Sequence, residues 1–273
     1  MPRSNPLDLS AFDGRLLDGL IFCREVYRFF EQIRAGPDGT ARLRMRPAKA
    51  EKRLIEELIP LARYVQARYR EGRRIKVRWF AGSQPYDGWL LSAGAIVDRG
   101  FAPRKVFVEI TAAVHQNDHL MRQALQEHRP VFGVKRISRD KKTRAIVSEP
   151  YVFTPAERAA DLAAQIITRI QDKSRKGYPS NTVLIVYCVL HGVTYGNEWL
   201  DAVARVEHAQ AHHAFFEVFL VETSIAAFSA TLCGDPKRAT GAGAQYVTEG
   251  CPAHHGNGAS AATIGPAAKD PPF

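Results

Sequence analysis

Residues 79–111 read WFAGSQPYDGWLLSAGAIVDRGFAPRKVFVEIT, and this stretch decides the fold. In KVFVEIT (105–111), Val106, Val108 and Ile110 alternate with Lys105, Phe107, Glu109 and Thr111, the period-2 pattern of a strand with two different faces. Thr111 therefore shares a face with Glu109. YDGWLLS (86–92) reads as the preceding strand, and AGSQP (81–85) as a turn or bulge before it. Upstream, IKVRWF (75–80) places Ile75, Val77 and Trp79 on one face. Three successive strands thus carry Asp87 at the start of the second and Glu109 within the third. An acid on one strand, facing an acid and a polar partner on the next, can hold a divalent metal.

Working outward, residues 15–34 (RLLDGLIFCREVYRFFEQIR) repeat apolar residues at helical spacing, and AGPDGT breaks the pattern. RLRMRP (42–47) reads as a basic connector. A second helix is expected over 48–70, with Leu54, Leu58, Leu61 and Val65 on its buried face and Glu56 and Glu57 on the rim. Pro60 lies inside it and predicts a kink or two consecutive helices. After the three strands, 93–104 is a connection and 115–128 reads as a helix. Strands are expected at 131–137 and 144–153. Thr154, Pro155 and Glu157 form a capping-box start for a helix running to about Lys176. TVLIVYCVL (182–190) is an apolar run suited to a central strand covered on both faces. A helix over 197–213 and a strand over 215–223 follow. From Ser229 the sequence is rich in Gly, Ala and Pro without a sustained period. The expected organisation is an N-terminal helical extension (1–47), an α/β domain with a mixed central sheet flanked by helices (48–228), and a disordered tail (229–273).

The 273 residues carry 38 Lys and Arg against 28 Asp and Glu, a net charge of +10. That balance favours polyanionic partners, nucleic acid first. Basic residues recur in clusters, including Arg42, Arg44 and Arg46; Arg68, Arg70, Arg73 and Arg74; Lys135, Arg136, Arg139, Lys141 and Lys142; and Lys173, Arg175 and Lys176. Each cluster taken alone also reads as a solvated face. No apolar run approaches the roughly 20 residues that span a bilayer, and the first residues lack a signal-peptide core. The four cysteines show no CxxC spacing; Cys23 and Cys188 read as buried thiols. The chain reads as cytoplasmic with no membrane partner, and its oligomeric state is not legible.

PYDG (85–88) and VEIT (108–111), set between a preceding and a following helix, resemble the PD-(D/E)XK nuclease-like superfamily, the restriction-endonuclease-like fold. The resemblance covers roughly 48–223, mainly as element order. It implies a metal-dependent nuclease using Mg²⁺ or Mn²⁺, with nucleic acid, DNA ahead of RNA, as substrate. By resemblance Asp87 and Glu109 would be the metal-binding acids, and Glu56, ahead of its neighbour Glu57, the acid supplied by the helix. Thr111 stands where the family usually has lysine, and threonine supplies no positive charge. Lys105, six residues away on the same face, lies about 20 Å off and is a poor substitute. Gln84 could orient a water or a phosphate oxygen, as in variants of the fold where a glutamine accompanies the acids. The alternative is a catalytically degenerate domain that binds nucleic acid or another partner.

Blander readings apply to the same residues. Asp in PYDG serves turns by bonding its own backbone. Trp79, Tyr86 and Trp89 near the acids could stack on an unpaired base, although such aromatics more often belong to a core. His115 and His119, like His208 and His212, have the i, i+4 spacing of a zinc pair but no further ligand set, which favours a surface or capping role; His115 could also approach the acids. His254 and His255 near Cys251 read as parts of a solvated tail. No GxxxxGK[ST], GxGxxG or GxSxG pattern supports nucleotide-driven, dinucleotide or serine-hydrolase chemistry.

Overall fold

The computed structural model describes residues 8–190, 196–209, 213–222 and 228–233. The chain begins with β1 (Leu16–Asp18), α1 (Gly19–Ala35), α2 (Gly39–Met45), α3 (Lys49–Arg53), a π turn (Leu54–Leu58) and α4 (Ile59–Arg68). Then come β2 (Arg74–Trp79), β3 (Gly88–Ala93), α5 (Ala95–Asp98), β4 (Lys105–Ala113), α6 (Asp118–Gln126), β5 (Ile137–Arg139) and β6 (Ile146–Ser148). The last elements are α7 (Pro155–Ser174), β7 (Thr182–Cys188), α8 (Gly196–Ala209), β8 (Glu217–Val221) and β9 (Ser229–Cys233). Among the described residues, seven strands form one sheet in the order β1-β2-β3-β4-β7-β8-β9, and β5 and β6 form a separate ribbon. The β4–β7 and β7–β8 pairs are parallel, and the others are antiparallel. This is the expected α/β class with a mixed central sheet.

The apolar run of β7 is buried at every position because it lies mid-sheet with a core on each face. Val183, Ile185 and Tyr187 join the core under α1 and α4, while Leu184, Val186 and Cys188 join that under α7 and α8. The same alternation sends Val106, Val108 and Ile110 of β4 into the first core and leaves Phe107, Glu109 and Thr111 on the α7 side. Helix α7 starts with the expected capping box. The Thr154 hydroxyl accepts from the Glu157 amide at 3.2 Å, and the Glu157 carboxylate accepts from the Thr154 amide at 2.8 Å.

Several elements differ from the sequence reading, each for a local reason. The helix expected over 15–34 starts only at Gly19. Asp18 caps it by accepting from the Leu20 amide at 2.9 Å, and Leu16–Asp18 instead pairs with β2. The described part of the extension, residues 8–47, is therefore part of the same sheet and core, to which Phe12, Phe22, Val26 and Ile33 contribute. Its basic connector is largely the short helix α2. The helix expected over 48–70 runs from Lys49 to Arg68 but widens to the π turn just before Pro60, where the Ile59 amide reaches back to the Leu54 carbonyl. The proline ring would collide with the carbonyl four residues back in an unbroken α-helix, and a wider turn relieves that crowding. Helix α6 is shorter than 115–128, because the His115 Nδ1 takes the Asn117 amide at 3.1 Å and holds a turn there.

The ribbon β5–β6 is confined to three residues a strand, around a turn in which Asp140 accepts from the Lys142 and Thr143 amides. Ordered chain also continues past Ser229, since β9 pairs antiparallel with β8, so the Gly- and Ala-rich tail does not begin where composition changes. The remainder of the tail, with Cys251, His254 and His255, lies outside the described residues. Cys23 and Cys188 are buried free thiols, as expected. Among the described residues, no helix is long and apolar enough to cross a membrane.

Candidate active site

Strand register builds the site. Gly88 stands opposite Val108, and Trp89 opposite Phe107, so Asp87 falls on the next rung beside Glu109. Two hydrogen bonds fix it there. The Asp87 amide donates to the Val108 carbonyl at 2.9 Å, and the Asp87 Oδ2 accepts from the Ile110 amide at 2.7 Å. Gly88 is needed next to it, because a Cβ at that position would stand 2.5 Å from the Arg78 carbonyl oxygen of β2. Asp87 is thus a strand-mouth residue whose side chain bonds across to β4, rather than the local turn former that PYDG also allows.

Glu109 is 6% exposed, yet it carries a counter-charge. The Lys173 ammonium, from the last turn of α7, donates to its Oε1. The Tyr178 phenol, just beyond α7, also lies at Glu109; its pKa is pushed up by burial first and then by the negative charge of Glu109. Burial pushes the Asp87 carboxyl up to about 7, and Glu109 and Glu57 push it the same way; the Ile110 amide and Lys173 oppose them. Burial and the negative charge of Glu109 across the same rung both disfavour the ionised form of Asp87.

The acid that the helix brings to this pair is Glu57, not Glu56. Glu57 Oε2 accepts from the Trp79 indole nitrogen at 3.1 Å, and burial raises its pKa against the pull of Arg53 and the indole. Glu56 is held by Arg46 at 2.8 Å, with Lys52 at 3.9 Å. It lines a separate cleft of about 450 Å³ together with His115, His119, Arg122 and Arg169. His115 therefore belongs to that cleft and not to the acid pair. Because α6 begins after it, His115 and His119 are not one helix turn apart, and the His119 Nδ1 faces the Gln116 carbonyl oxygen at 3.0 Å. His208 lies in the last turn of α8, while His212 lies outside the described residues.

Thr111 is half-buried, one pleat beyond Glu109 on the same face and in register with Val186 of β7. Gln84 is exposed on the loop between β2 and β3, and among the described residues its side chain makes no hydrogen bond to either acid. Lys105 lies over the Phe107 and Trp89 rings, at 4.7 and 5.4 Å from their centroids. Of the tryptophans near the acids, Trp79 is fully buried, so its role is in the core and in binding Glu57.

No protein-family model, curated protein or solved structure matches this chain. Among the described residues, no group of three or more His, Cys, Asp or Glu side chains is arranged to hold a metal ion. The site brings together two carboxylates, Asp87 and Glu109, the second paired to a lysine, with the Glu57 carboxylate acting on Asp87 by charge.

Sequence reading missed Lys173 and Tyr178 as neighbours of Glu109. For Lys173 a signal existed. Ile166 and Ile170 are buried on the sheet-facing stripe of α7, and position 173 continues the 3.6-residue period. A lysine in phase with a buried stripe points inward with the stripe. Tyr178 follows Gly177 in a loop, and no periodicity addresses it.

Proposed function

We propose that this chain hydrolyses phosphodiester bonds of nucleic acid with Mg²⁺ or Mn²⁺, using Asp87, Glu109 and Lys173. The observation that carries the reading is the Lys173–Glu109 contact. The resemblance to PD-(D/E)XK nucleases leaves a missing positive charge at Thr111, and α7 delivers one to the Glu109 carboxylate on the same face of the sheet. With α5, α6 and the β5–β6 ribbon taken as insertions, the order α4, β2, β3, β4, α7, β7 around the acids also supports the resemblance to that superfamily.

The donor set fits the metal. Mg²⁺ takes hard oxygen ligands, keeps several waters, and is commonly held by one or two carboxylates together with substrate phosphate. Asp87 and Glu109 would hold it, and their mutual repulsion at Asp87 is what a cation would relieve. When bound, the ion would polarise the phosphoryl group and lower the pKa of the attacking water. Lys173 would stabilise negative charge developing on the phosphate. Thr111 and Gln84 would help place water or a phosphate oxygen. Glu57 would assist from the helix through its charge on Asp87, the part that the sequence assigns to Glu56.

A second reading is favoured by the same ion pair, because Lys173 already neutralises one of the two acids. On that reading the domain binds nucleic acid without cleaving it. Incubating the protein with single- and double-stranded DNA and RNA, in Mn²⁺, Mg²⁺ or EDTA, separates the two. Metal-dependent cleavage that disappears in Glu109→Ala and in Lys173→Met supports the nuclease. Binding without cleavage on every substrate selects the second reading.

A further inference from the structure

We propose that the sheet face beside Asp87 and Glu109 is a stacking platform for the bases of a single-stranded polynucleotide, so that the substrate is unpaired nucleic acid. The strand pairing lays three side chains across this face in one row: Arg78 of β2 stands opposite Trp89 of β3, which stands opposite Phe107 of β4. The acid pair lies two rungs further on, the next rung whose side chains share this face. Trp89 is two residues from Asp87, and Phe107 two from Glu109, so the rings lie about 7 Å along the strands from the carboxylates. Tyr86 extends the aromatic surface, with its ring centroid 4.7 Å from that of Phe107.

These rings are not core. Trp89, Phe107 and Tyr86 are all half-buried, whereas the other two tryptophans, Trp79 and Trp199, are 0% and 1% exposed. Charge complementarity selects the occupant. The Arg78 guanidinium lies 5.6 Å from the Trp89 ring centroid, and the Lys105 ammonium lies 5.4 Å from Trp89 and 4.7 Å from Phe107. Aromatic faces flanked by cations match a chain that alternates flat bases with phosphates. In a duplex the base faces are covered by their neighbours, and only an unpaired strand offers them to a flat platform. Bases would take the ring faces while Lys105 turns to the phosphates; Arg78, held through its Nε by the Gly14 carbonyl, keeps its charge beside Trp89. The flanking phosphodiester would then lie at Asp87 and Glu109.

This inference deepens the nuclease reading and rests on it only for the position of the scissile bond. Binding is therefore measured in EDTA, where cleavage plays no part. The probes are a short oligothymidylate, an abasic oligomer of the same length and a duplex of the same length. Because Trp89 is the one half-exposed tryptophan, oligothymidylate is expected to quench the tryptophan fluorescence. Anisotropy with a labelled oligothymidylate should show an affinity lowered roughly tenfold in Trp89→Leu and in Phe107→Leu, restored in Trp89→Phe. Thermal unfolding of each variant identifies any that fail to fold. The abasic oligomer should bind weakly and without dependence on Trp89. Equal affinity for abasic and base-carrying oligomers would mean charge attraction alone and would overturn the proposal. So would unchanged fluorescence, a duplex that depends on Trp89 equally, or a concentration-dependent dimer that buries Trp89 and binds no oligomer. Stacking without cleavage in Mn²⁺ would sink the nuclease and leave the platform standing.

Discussion

Replacing Asp87 with asparagine should make the metal-free protein more stable, and increasingly so as pH rises. Burial and the charge of Glu109 move the Asp87 carboxyl from 3.8 to about 7. Between those values the folded protein keeps a proton that the unfolded chain has released. The folded state binds more protons, so stability falls with rising pH across this window and stops falling above about 7. Each pH unit is worth about 1.4 kcal/mol, so the ceiling between about pH 5 and pH 8 is roughly 3 kcal/mol. Partial access of water to a half-buried carboxyl reduces this to about 2 kcal/mol. Asparagine cannot ionise, and its amide oxygen can still accept from the Ile110 amide that bonds Asp87 Oδ2. The assay is urea denaturation of parent and variant in EDTA at both pH values. Groups that titrate alike in the two proteins cancel, and the variant should gain about 2 kcal/mol on the parent between pH 5 and pH 8. An equal stability difference at the two pH values, or a parent that gains on the variant as pH rises, would refute the reasoning.

Further outcomes follow from the same site. Glu57→Gln removes a negative charge that raises Asp87, so the carboxyl should titrate below about 7, read by NMR of the side-chain carboxyl carbon. Lys173→Met removes an opposing cation, so Asp87 should titrate higher, and the loss of Glu109's buried counter-charge should cost about 3 kcal/mol in urea denaturation at neutral pH. Gly88→Ala forces a Cβ to within 2.5 Å of the Arg78 carbonyl oxygen and should cost about 2 kcal/mol or more, lowering the melting temperature by roughly 5 °C. Thr154→Ala removes the cap of α7 and should cost about 1 kcal/mol, measured the same way, with Asp87 unmoved.

The parts of the fold legible in the sequence are those where one rule governs many residues in succession. The alternation from Lys105 to Thr111, the unbroken apolar run of β7 and the capping box at Thr154 each say the same thing locally and globally. The misplaced boundaries fall where a single side chain overrides the pattern. Asp18 takes the Leu20 amide and starts the helix late, and His115 holds a turn that keeps α6 short. In the candidate site, the pairing of Asp87 with Glu109 was legible because it follows from strand order. The choice between Glu56 and Glu57 was not, since a π turn changes the rotation that α-helical spacing assumes. Lys173 carried an in-phase signal that its membership of a basic cluster masked.

The turn before Pro60 also bears on how a chain like this tolerates changes of length. A π turn holds one residue more than the α turn it replaces. Removing one residue from Leu54–Leu58 and replacing Pro60 as well would let the backbone close at ordinary pitch, while α3 and α4 keep the faces they bury. The acids between them would not keep theirs, because one residue of an α-helix is a rotation of about 100°. As the chain stands, two adjacent glutamates look in different directions, Glu56 to Arg46 and Glu57 to Trp79. A relative one residue shorter at this point and lacking the proline would retain the fold and present a different carboxylate, or none, to Asp87.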